Sequence, residues 1–156
     1  MVCRDATTAG ASSWWVDRRL KAKLHTDGGA RGNPGPAGIG VVLTDESGEV
    51  IGEVAEGIGV ATNNVAEYKA LIAGLELALE RGVTDLDIYL DSELVVSQIK
   101  GEWKIKKDTL RSLAVRARRL MNQVPKAAIY HVRREFNEDA DKLANQGMDA
   151  AQLDLD

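Results

Sequence analysis

The residues best suited to chemistry are four carboxylates at the ends of predicted elements. Asp27 and Asp91 each end a predicted strand, whereas Glu67 and Asp141 lie in the first turn of a predicted helix. Ligand sites of open α/β sheets gather at strand ends and helix starts, so these side chains are candidates for one pocket. Clustered carboxylates repel one another unless cations lie between them, and Mg²⁺ is the usual oxygen-liganded cation. The pattern therefore indicates a divalent-cation site.

Each acid also has a plain structural explanation when it is taken alone. Glu67 follows Asn64 with the spacing of a capping box. Asp91 is placed to cap the next helix, Asp141 suits the positive end of a helix dipole, and Asp27 precedes two turn-forming glycines. Two histidines and one cysteine exclude an ordinary zinc site, and the sequence has no G-x-S-x-G nucleophile elbow. The four acids are therefore informative as a set rather than singly.

The elements that must position these acids follow from the hydrophobic periodicity. Alternating or β-branched apolar segments predict five strands, at residues 21–27, 39–44, 50–58, 86–90 and 127–132. Helical periodicity and breakers predict four helices, at residues 65–79, 94–99, 108–124 and 137–148. The segment 28–38, rich in glycine and proline, predicts a loop. This order predicts an α/β fold with a five-stranded mixed sheet, in which an antiparallel meander of the first three strands continues into parallel βα units flanked by helices.

Length and composition fit a single domain. The chain has 156 residues, of which 44% are hydrophobic and 28% are charged. One cysteine excludes an internal disulfide framework and favours a reducing compartment, so a cytoplasmic location is expected. No apolar run approaches the ~18 residues that a membrane span needs, so no membrane partner is expected.

Charge is distributed unevenly, although the net charge is only −4. Residues 100–126 contain nine basic and two acidic residues and therefore carry +7. Such a segment suits either a solvated helix face or a surface that follows nucleic-acid phosphates. Trp103 lies within it, and an aromatic ring beside basic residues can stack on a base or sugar.

Four motifs, taken together, resemble those of the type 1 ribonucleases H. They are TDGGARGNPGPAG from Thr26, TNNVAE from Thr62, DSE from Asp91 and NEDADKLA from Asn137. They occur in the family's order and spacing. The resemblance implies a ribonuclease-H-like catalytic domain over residues 21–148, with residues 1–20 as an N-terminal extension and residues 149–156 as an acidic C-terminal tail.

The resemblance also implies an activity, namely endonucleolytic hydrolysis of the RNA strand of RNA–DNA hybrids with two Mg²⁺ ions, for which Mn²⁺ can substitute. In that scheme Asp27 bridges both ions, Asp141 holds the ion that carries the attacking water, and Glu67 and Asp91 hold the other. The expected products have 5′-phosphate and 3′-hydroxyl ends, and little base-sequence preference is expected.

Substrate contacts follow from the same resemblance. It assigns Gly28, Asn33, Asn64 and Ser92 to the minor groove of the hybrid, where the 2′-hydroxyls of RNA are displayed. It assigns Thr62, with Asn63 nearby, to a phosphate of the DNA strand, and Trp103 to the DNA strand itself. N-capping is the structural alternative for Thr62 and Asn63, and a core or rim position is the alternative for Trp103.

The chain departs from many members of the family in two places. Only four residues separate Trp103 from the helix predicted at 108–124. This spacing resembles the short form of the family, which lacks a basic helical protrusion. The segment before the last helix has Arg134 and Glu135 where a mobile histidine is common, and Arg134 is the preferred candidate because a cation can assist product release.

Two other functions compete with this prediction. One is a different nuclease of the ribonuclease-H-like class, such as a junction resolvase or an exonuclease, which would prefer an all-DNA substrate. The other is a hybrid-binding module without turnover. Asn33 and Asn64 suit a groove that reads ribose, and all four carboxylates are present, so a monomeric hybrid-specific endoribonuclease is the leading hypothesis. Cleavage of double-stranded RNA is left open.

Overall fold

The computed structural model describes residues 19–155 of the chain. The strands in this range are β1 (Lys21–Ala30), β2 (Gly35–Asp45), β3 (Val50–Ala61), β4 (Asp85–Leu90) and β5 (Lys126–His131). The helices are α1 (Asn63–Glu80), α2 (Glu93–Ile99), α3 (Asp108–Gln123) and α4 (Glu138–Leu155), with a 3₁₀ turn at Arg134–Phe136. None of these helices is long and apolar enough to span a lipid bilayer.

The strands form one mixed sheet in the order β3-β2-β1-β4-β5. β1, β2 and β3 pair antiparallel, whereas β4 pairs parallel with β1 and β5 pairs parallel with β4. Thr26 lies opposite Leu90, so Asp27, still within β1, and Asp91, directly after β4, lie at the same end of these neighbouring parallel strands. The predicted fold class is confirmed.

Helices cover both faces of the sheet. Successive residues of a strand point to opposite sides, so each strand presents side chains to both layers of helices. Leu24 and Val41 belong to the buried cluster that includes Leu71 and Leu75 of α1. Each fully buried leucine of this kind contributes about 1.5–3 kcal/mol of hydrophobic free energy. The alternate positions of β2 face α4, which crosses the opposite side of the sheet.

The contact between α4 and the sheet is made by backbone against backbone. A Cβ atom on Gly40 would lie 2.1 Å from the carbonyl oxygen of Ala140, and one on Gly38 would lie 2.2 Å from the amide nitrogen of Met148. On the helix side, a Cβ on Gly147 would lie 2.2 Å from the carbonyl oxygen of Glu56 in β3. No side chain fits at these three glycines, so the helix rests directly on β2 and β3. We call this contact the glycine seam.

The prediction that residues 28–38 form a loop is wrong. β1 continues to Ala30 and β2 begins at Gly35, which leaves a turn of only four residues. Gly28 and Gly38 are required within these strands because the backbones of α1 and α4, respectively, approach them too closely for a side chain. Close tertiary packing, rather than turn formation, therefore explains much of the glycine content of this segment.

The predicted end of the last helix is also wrong. α4 continues past Met148 to Leu155, so residues 149–155, expected as a separate acidic tail, are helical. Ala151 is buried against β3 one turn beyond Met148, which extends the apolar stripe that holds the helix on the sheet. The predicted N-terminal extension comprises residues 1–20, of which residues 1–18 lie outside the described residues. In the described part, the Leu20 amide donates to the Thr84 hydroxyl at 2.9 Å.

Candidate active site

The four predicted carboxylates come from four different elements. Asp27 lies near the end of β1 and is 7% exposed, and Asp91 directly follows β4. Asp141 lies in the first turn of α4, as predicted. Glu67 lies one turn further into α1 than predicted, because the helix begins at Asn63 with Thr62 as its N-cap. Thr62 Oγ1 accepts the amide of Val65 at 3.3 Å, so the capping box proposed for Asn64 and Glu67 does not form.

The fold brings these carboxylates together. One carboxylate oxygen from each of Asp27, Glu67 and Asp91 lies within 4.8 Å of the other two. The carboxyl group of Asp141 lies close enough to that of Asp27 to add to the rise in its pKa. The turn and cap explanations for Asp27 and Asp91 do not hold, because Asp27 is buried in a strand and Ser92, not Asp91, caps α2.

The electrostatics of this cluster are unfavourable for a set of bare anions. Burial raises the pKa of Asp27 to about 9, and the charges of Glu67 and Asp91 add to the effect. Burial likewise raises the pKa of Glu67 to about 8, with Asp91 as the next cause, while a hydrogen bond from the Gly28 amide opposes the rise. Carboxylates of this kind hold protons near neutral pH unless cations replace them. The cluster is therefore built to bind positive charge.

Gly28 supports this cluster from the backbone. Its amide donates to Glu67 Oε1 at 2.9 Å. A Cβ on Gly28 would lie 2.2 Å from the carbonyl oxygen of Ala66, so any side chain would push α1 away from β1. The residue that sequence analysis assigned to the minor groove thus holds α1 close enough to the strand for Glu67 to reach the cluster. Its groove contact stays a prediction.

Asn33, predicted to contact the minor groove, and Asn63, predicted to lie near a DNA phosphate, join the turn after β1 to the start of α1. Asn33 Oδ1 accepts the amide of Asn63 at 3.0 Å, and Asn63 Oδ1 accepts the amide of Ala30 at 2.9 Å. The carboxamide nitrogens of both residues are not used in these bonds. Both side chains therefore have structural roles that leave their donors available.

A cleft of about 420 Å³ opens beside these residues. Asn33, Thr62 and Asn64 line it together with Lys69 and Lys107. No motif in the sequence marks Lys69, and Lys107 is marked only as part of the basic segment. Their proximity is visible only in the structure, because α1 and the start of α3 bring the two lysines to one cleft.

Ser92 and Arg134 lie on either side of Asp91. Ser92 Oγ accepts the amide of Val95 at 3.3 Å, so the predicted groove residue is also the N-cap of α2. Arg134 Nε lies 3.9 Å from Asp91 Oδ2, and its side chain is 84% exposed. Glu135, the alternative to Arg134, lines a different cleft beside His25. The structure therefore places the arginine, rather than the glutamate, beside the carboxylates.

Trp103 is exposed on a segment that is held firmly in place. Its side chain is 46% exposed, and its amide donates to the carbonyl of Ser97 at 3.2 Å. Gln98 Nε2 donates to the carbonyl of Lys104 at 3.3 Å, and Arg111 Nη2 donates to that of Ile105 at 2.8 Å. Residues 100–107 connect α2 directly to α3, so the predicted absence of a helical protrusion is confirmed.

The basic segment divides into arginines that bond within residues 19–155 and lysines that are exposed. Arg111 and Arg118 donate to backbone carbonyls, and Arg116 Nη2 lies 2.8 Å from Glu76 Oε2. Lys104 and Lys106, like Lys107, are exposed beside Trp103. The bonded arginines fit the solvated-face interpretation in part, and a phosphate-following surface stays a prediction for the exposed lysines.

Known proteins resemble this chain over most of its length. A family model described as reverse transcriptase-like matches residues 25–147. A ribonuclease HI of Halobacterium salinarum is 45% identical over 135 residues, which cover 86% of this chain and 68% of that protein. Relatives from mycobacteria, including a bifunctional protein of Mycobacterium tuberculosis, are 48% identical over 133 residues, or 85% of this chain. The chain spans about a third of the length of those mycobacterial relatives, 36%.

Solved structures give the same result. The N-terminal ribonuclease H domain of the Mycobacterium tuberculosis protein, solved as a fusion with maltose-binding protein, has a TM-score of 0.85 and 45% identity, covering 88% of this chain and 99% of that chain. LC11-RNase H1 in complex with an RNA/DNA hybrid has a TM-score of 0.79 and 43% identity, covering 84% and 99%. With its sheet order and its carboxylate cluster, this chain belongs to the ribonuclease HI family, in the short form without a basic protrusion.

Proposed function

We propose that this chain is a metal-dependent endoribonuclease that hydrolyses the RNA strand of RNA–DNA hybrids. The observation that carries the proposal is the convergence of Asp27, Glu67 and Asp91 within 4.8 Å, with Asp141 close enough to raise the pKa of Asp27. The complex of LC11-RNase H1 with an RNA/DNA hybrid supports the choice of substrate.

The donor set fits hard divalent cations, because it consists of carboxylate oxygens whose own repulsion favours bound positive charge. Asp27 and Asp141 would hold one of two Mg²⁺ ions, and Asp27 with Glu67 and Asp91 would hold the other, with Mn²⁺ as a substitute. When bound, such ions would supply activation of the attacking water and stabilisation of the leaving oxygen, and cleavage would leave 5′-phosphate and 3′-hydroxyl ends.

The protein's own groups orient the site and the substrate. The Gly28 amide holds one oxygen of Glu67, which fixes the direction in which the carboxylate points. We assign Arg134 to product release, because its exposed guanidinium beside Asp91 can bind the new phosphate end and draw it away from the carboxylates.

Substrate binding uses the surfaces around the cluster. We assign Gly28, Asn33, Asn64 and Ser92 to the minor groove, where 2′-hydroxyls distinguish RNA from DNA. Recognition through shape and 2′-hydroxyls gives little base-sequence preference.

The DNA strand has its own contacts. We assign Thr62, with Asn63 nearby, to a DNA phosphate, since Lys69 and Lys107 add positive charge to the same cleft. Trp103 is assigned to stacking on the DNA strand.

Cleavage of four labelled duplexes at low salt tests the proposal. The duplexes are RNA–DNA, RNA–RNA, DNA–DNA, and DNA with one ribonucleotide, each assayed with Mg²⁺, Mn²⁺ or EDTA. We expect internal cuts in the RNA of the hybrid, lost in EDTA and in Asp91→Asn. Asp87→Asn, on the same strand but outside the cluster, is the matched control and should cleave normally.

Other outcomes would replace the proposal. Faster cleavage of DNA–DNA would favour a resolvase or an exonuclease, and hybrid binding without turnover would favour a binding module. Full activity of Asp91→Asn would remove that residue from the metal site. We also propose a monomer in the cytoplasm, and a dimer mass in gel filtration with light scattering would contradict the monomer.

A further inference from the structure

We propose that Asn137 is a positioning residue that fixes Asp141 relative to Asp27 and so sets the affinity of their shared metal site. The inference rests on the proposed function, because it concerns the same carboxylates. It adds a residue for which the sequence motif indicated no role.

Asn137 connects the two elements that carry these carboxylates. Its side chain is almost fully buried, with the residue 1% exposed, and Nδ2 donates to the carbonyl oxygen of Thr26 at 2.9 Å. Thr26 directly precedes Asp27 in β1. The backbone carbonyl of Asn137 accepts the amide of Asp141 at 3.0 Å, which is the first helical hydrogen bond of α4. Two hydrogen bonds thus lead from the backbone beside Asp27 to the backbone of Asp141.

This arrangement differs from ordinary helix capping. Asparagine at the position before a helix normally turns its oxygen back to the free amides of the first turn. Here the side chain points to the sheet, and within residues 19–155 its Oδ1 is a buried atom with no hydrogen-bond partner. Burying an unpartnered carbonyl carries a free-energy cost that an apolar side chain would avoid. The bond to Thr26 therefore has a purpose other than stabilising the helix end.

The position of α4 shows what that purpose is. At its first turn the helix is limited on the β2 side by Gly40, whose missing side chain leaves room for the carbonyl of Ala140. This contact fixes distance, but a contact between two backbones does not by itself prevent rotation or sliding of the helix. The bond from Asn137 to Thr26 supplies the directional restraint on the β1 side. This restraint keeps the carboxyl group of Asp141 close to that of Asp27.

Mn²⁺ titration of the free protein by isothermal calorimetry tests the inference without substrate. Loss of groups that orient metal ligands commonly weakens metal affinity about 10-fold or more, and we expect that loss in Asn137→Ala. The Mg²⁺ concentration for half-maximal cleavage should rise in parallel. In contrast, KM for the hybrid at saturating Mg²⁺ should stay within about twofold, because a group that orients metal ligands acts on the carboxylates and not on the groove.

A matched control is available on the same helix. Asn145 Nδ2 donates to the backbone carbonyl of Asp141 at 2.9 Å but makes this bond within α4 and not to the sheet. Asn145→Ala should keep the wild-type Mn²⁺ affinity. Far-UV circular dichroism checks the fold of each variant, and Asn137→Ser replaces Asn137→Ala in the titration if the alanine variant has lost native structure.

Two results would overturn the inference. One is wild-type Mn²⁺ affinity in a folded Asn137 variant, including the case in which only its melting temperature falls, since the residue would then be structural alone. The other is an equal loss of affinity in Asn145→Ala. A wild-type protein that binds Mn²⁺ but cleaves no hybrid would refute the proposed function and leave the positioning role of Asn137 standing.

Discussion

Replacing Asp27 with asparagine should make the metal-free protein more stable at about pH 8, although it removes a central residue of the proposed site. Burial and the neighbouring charges of Glu67 and Asp91 raise the pKa of Asp27 from its ordinary value of 3.8 to about 9. Because the folded-state pKa lies above the unfolded one, the folded protein loses stability as the pH rises between these two values. Asparagine carries no titratable proton and is exempt from that loss.

The size of the effect follows from the same shift. Each pH unit between the two pKa values is equivalent to ~1.4 kcal/mol, so the interval from about pH 4 to about pH 8 gives about 5 kcal/mol as an upper limit. A buried asparagine that lacks some of its partners retains a cost of about 1–3 kcal/mol. We therefore expect Asp27→Asn to raise the free energy of unfolding by about 2–4 kcal/mol at about pH 8, and by much less near pH 4.

Urea unfolding in EDTA, followed by far-UV circular dichroism across this pH range, measures the difference. Glu46→Gln, which removes an exposed carboxylate from the turn after β2, is the control and should leave the pH dependence unchanged. The reasoning is refuted if Asp27→Asn is less stable than the wild type at about pH 8, or if both proteins lose stability with the same pH slope.

Four further predictions concern metal, packing, substrate and salt. Mg²⁺ or Mn²⁺ should raise the melting temperature of the wild type in scanning calorimetry but barely change that of Asp27→Asn, because only the intact cluster gains from a bound cation; equal increases would argue against the site. Gly28→Ala should lower the free energy of unfolding in urea by about 2–3 kcal/mol, since its Cβ would lie 2.2 Å from the Ala66 carbonyl, and an unchanged midpoint would contradict this close approach. Trp103→Ala should weaken hybrid binding in EDTA about 10-fold in fluorescence anisotropy, whereas Tyr130→Ala, a comparably exposed aromatic change, should not; equal effects would remove Trp103 from the interface. Hybrid affinity of the wild type should fall steeply with salt in the same assay, and a salt-independent affinity would exclude phosphate contacts.

Local patterns were sufficient to predict the elements that depend on local interactions. The stripe from Val65 to Leu79 identified α1, and alternation identified the start of β1, because both signals reflect which side of one element faces the core. The convergence of the four carboxylates was also predictable, since parallel neighbours end at the same edge of a sheet and the motif spacing fixed which elements carry them.

Features that depend on contacts between distant segments were not predictable in the same way. Gly28 and Gly38 suggested a loop because their requirement for close approach comes from distant segments of backbone, from α1 for Gly28 and from α4, more than 100 residues away in the chain, for Gly38. The end of α4 was placed too early because the burial of Ala151 depends on β3. Asn137 was visible in a motif, yet nothing in the sequence shows that its side chain turns away from the helix toward Thr26.

The glycine seam has a consequence for how this protein can tolerate mutation. Most helices rest on side chains, so a core substitution that changes side-chain volume moves the helix by a fraction of an ångström. At Gly38, Gly40 and Gly147 no side chain lies between α4 and the sheet. The distance between them at these positions is set by contact of backbone with backbone. The leucines and valines under α1, on the other face of the sheet, can therefore be replaced by residues of similar volume during evolution. Such substitutions leave the distance of Asp141 from the sheet unchanged. The glycine seam therefore fixes the distance between α4 and the sheet independently of which side chains fill the core.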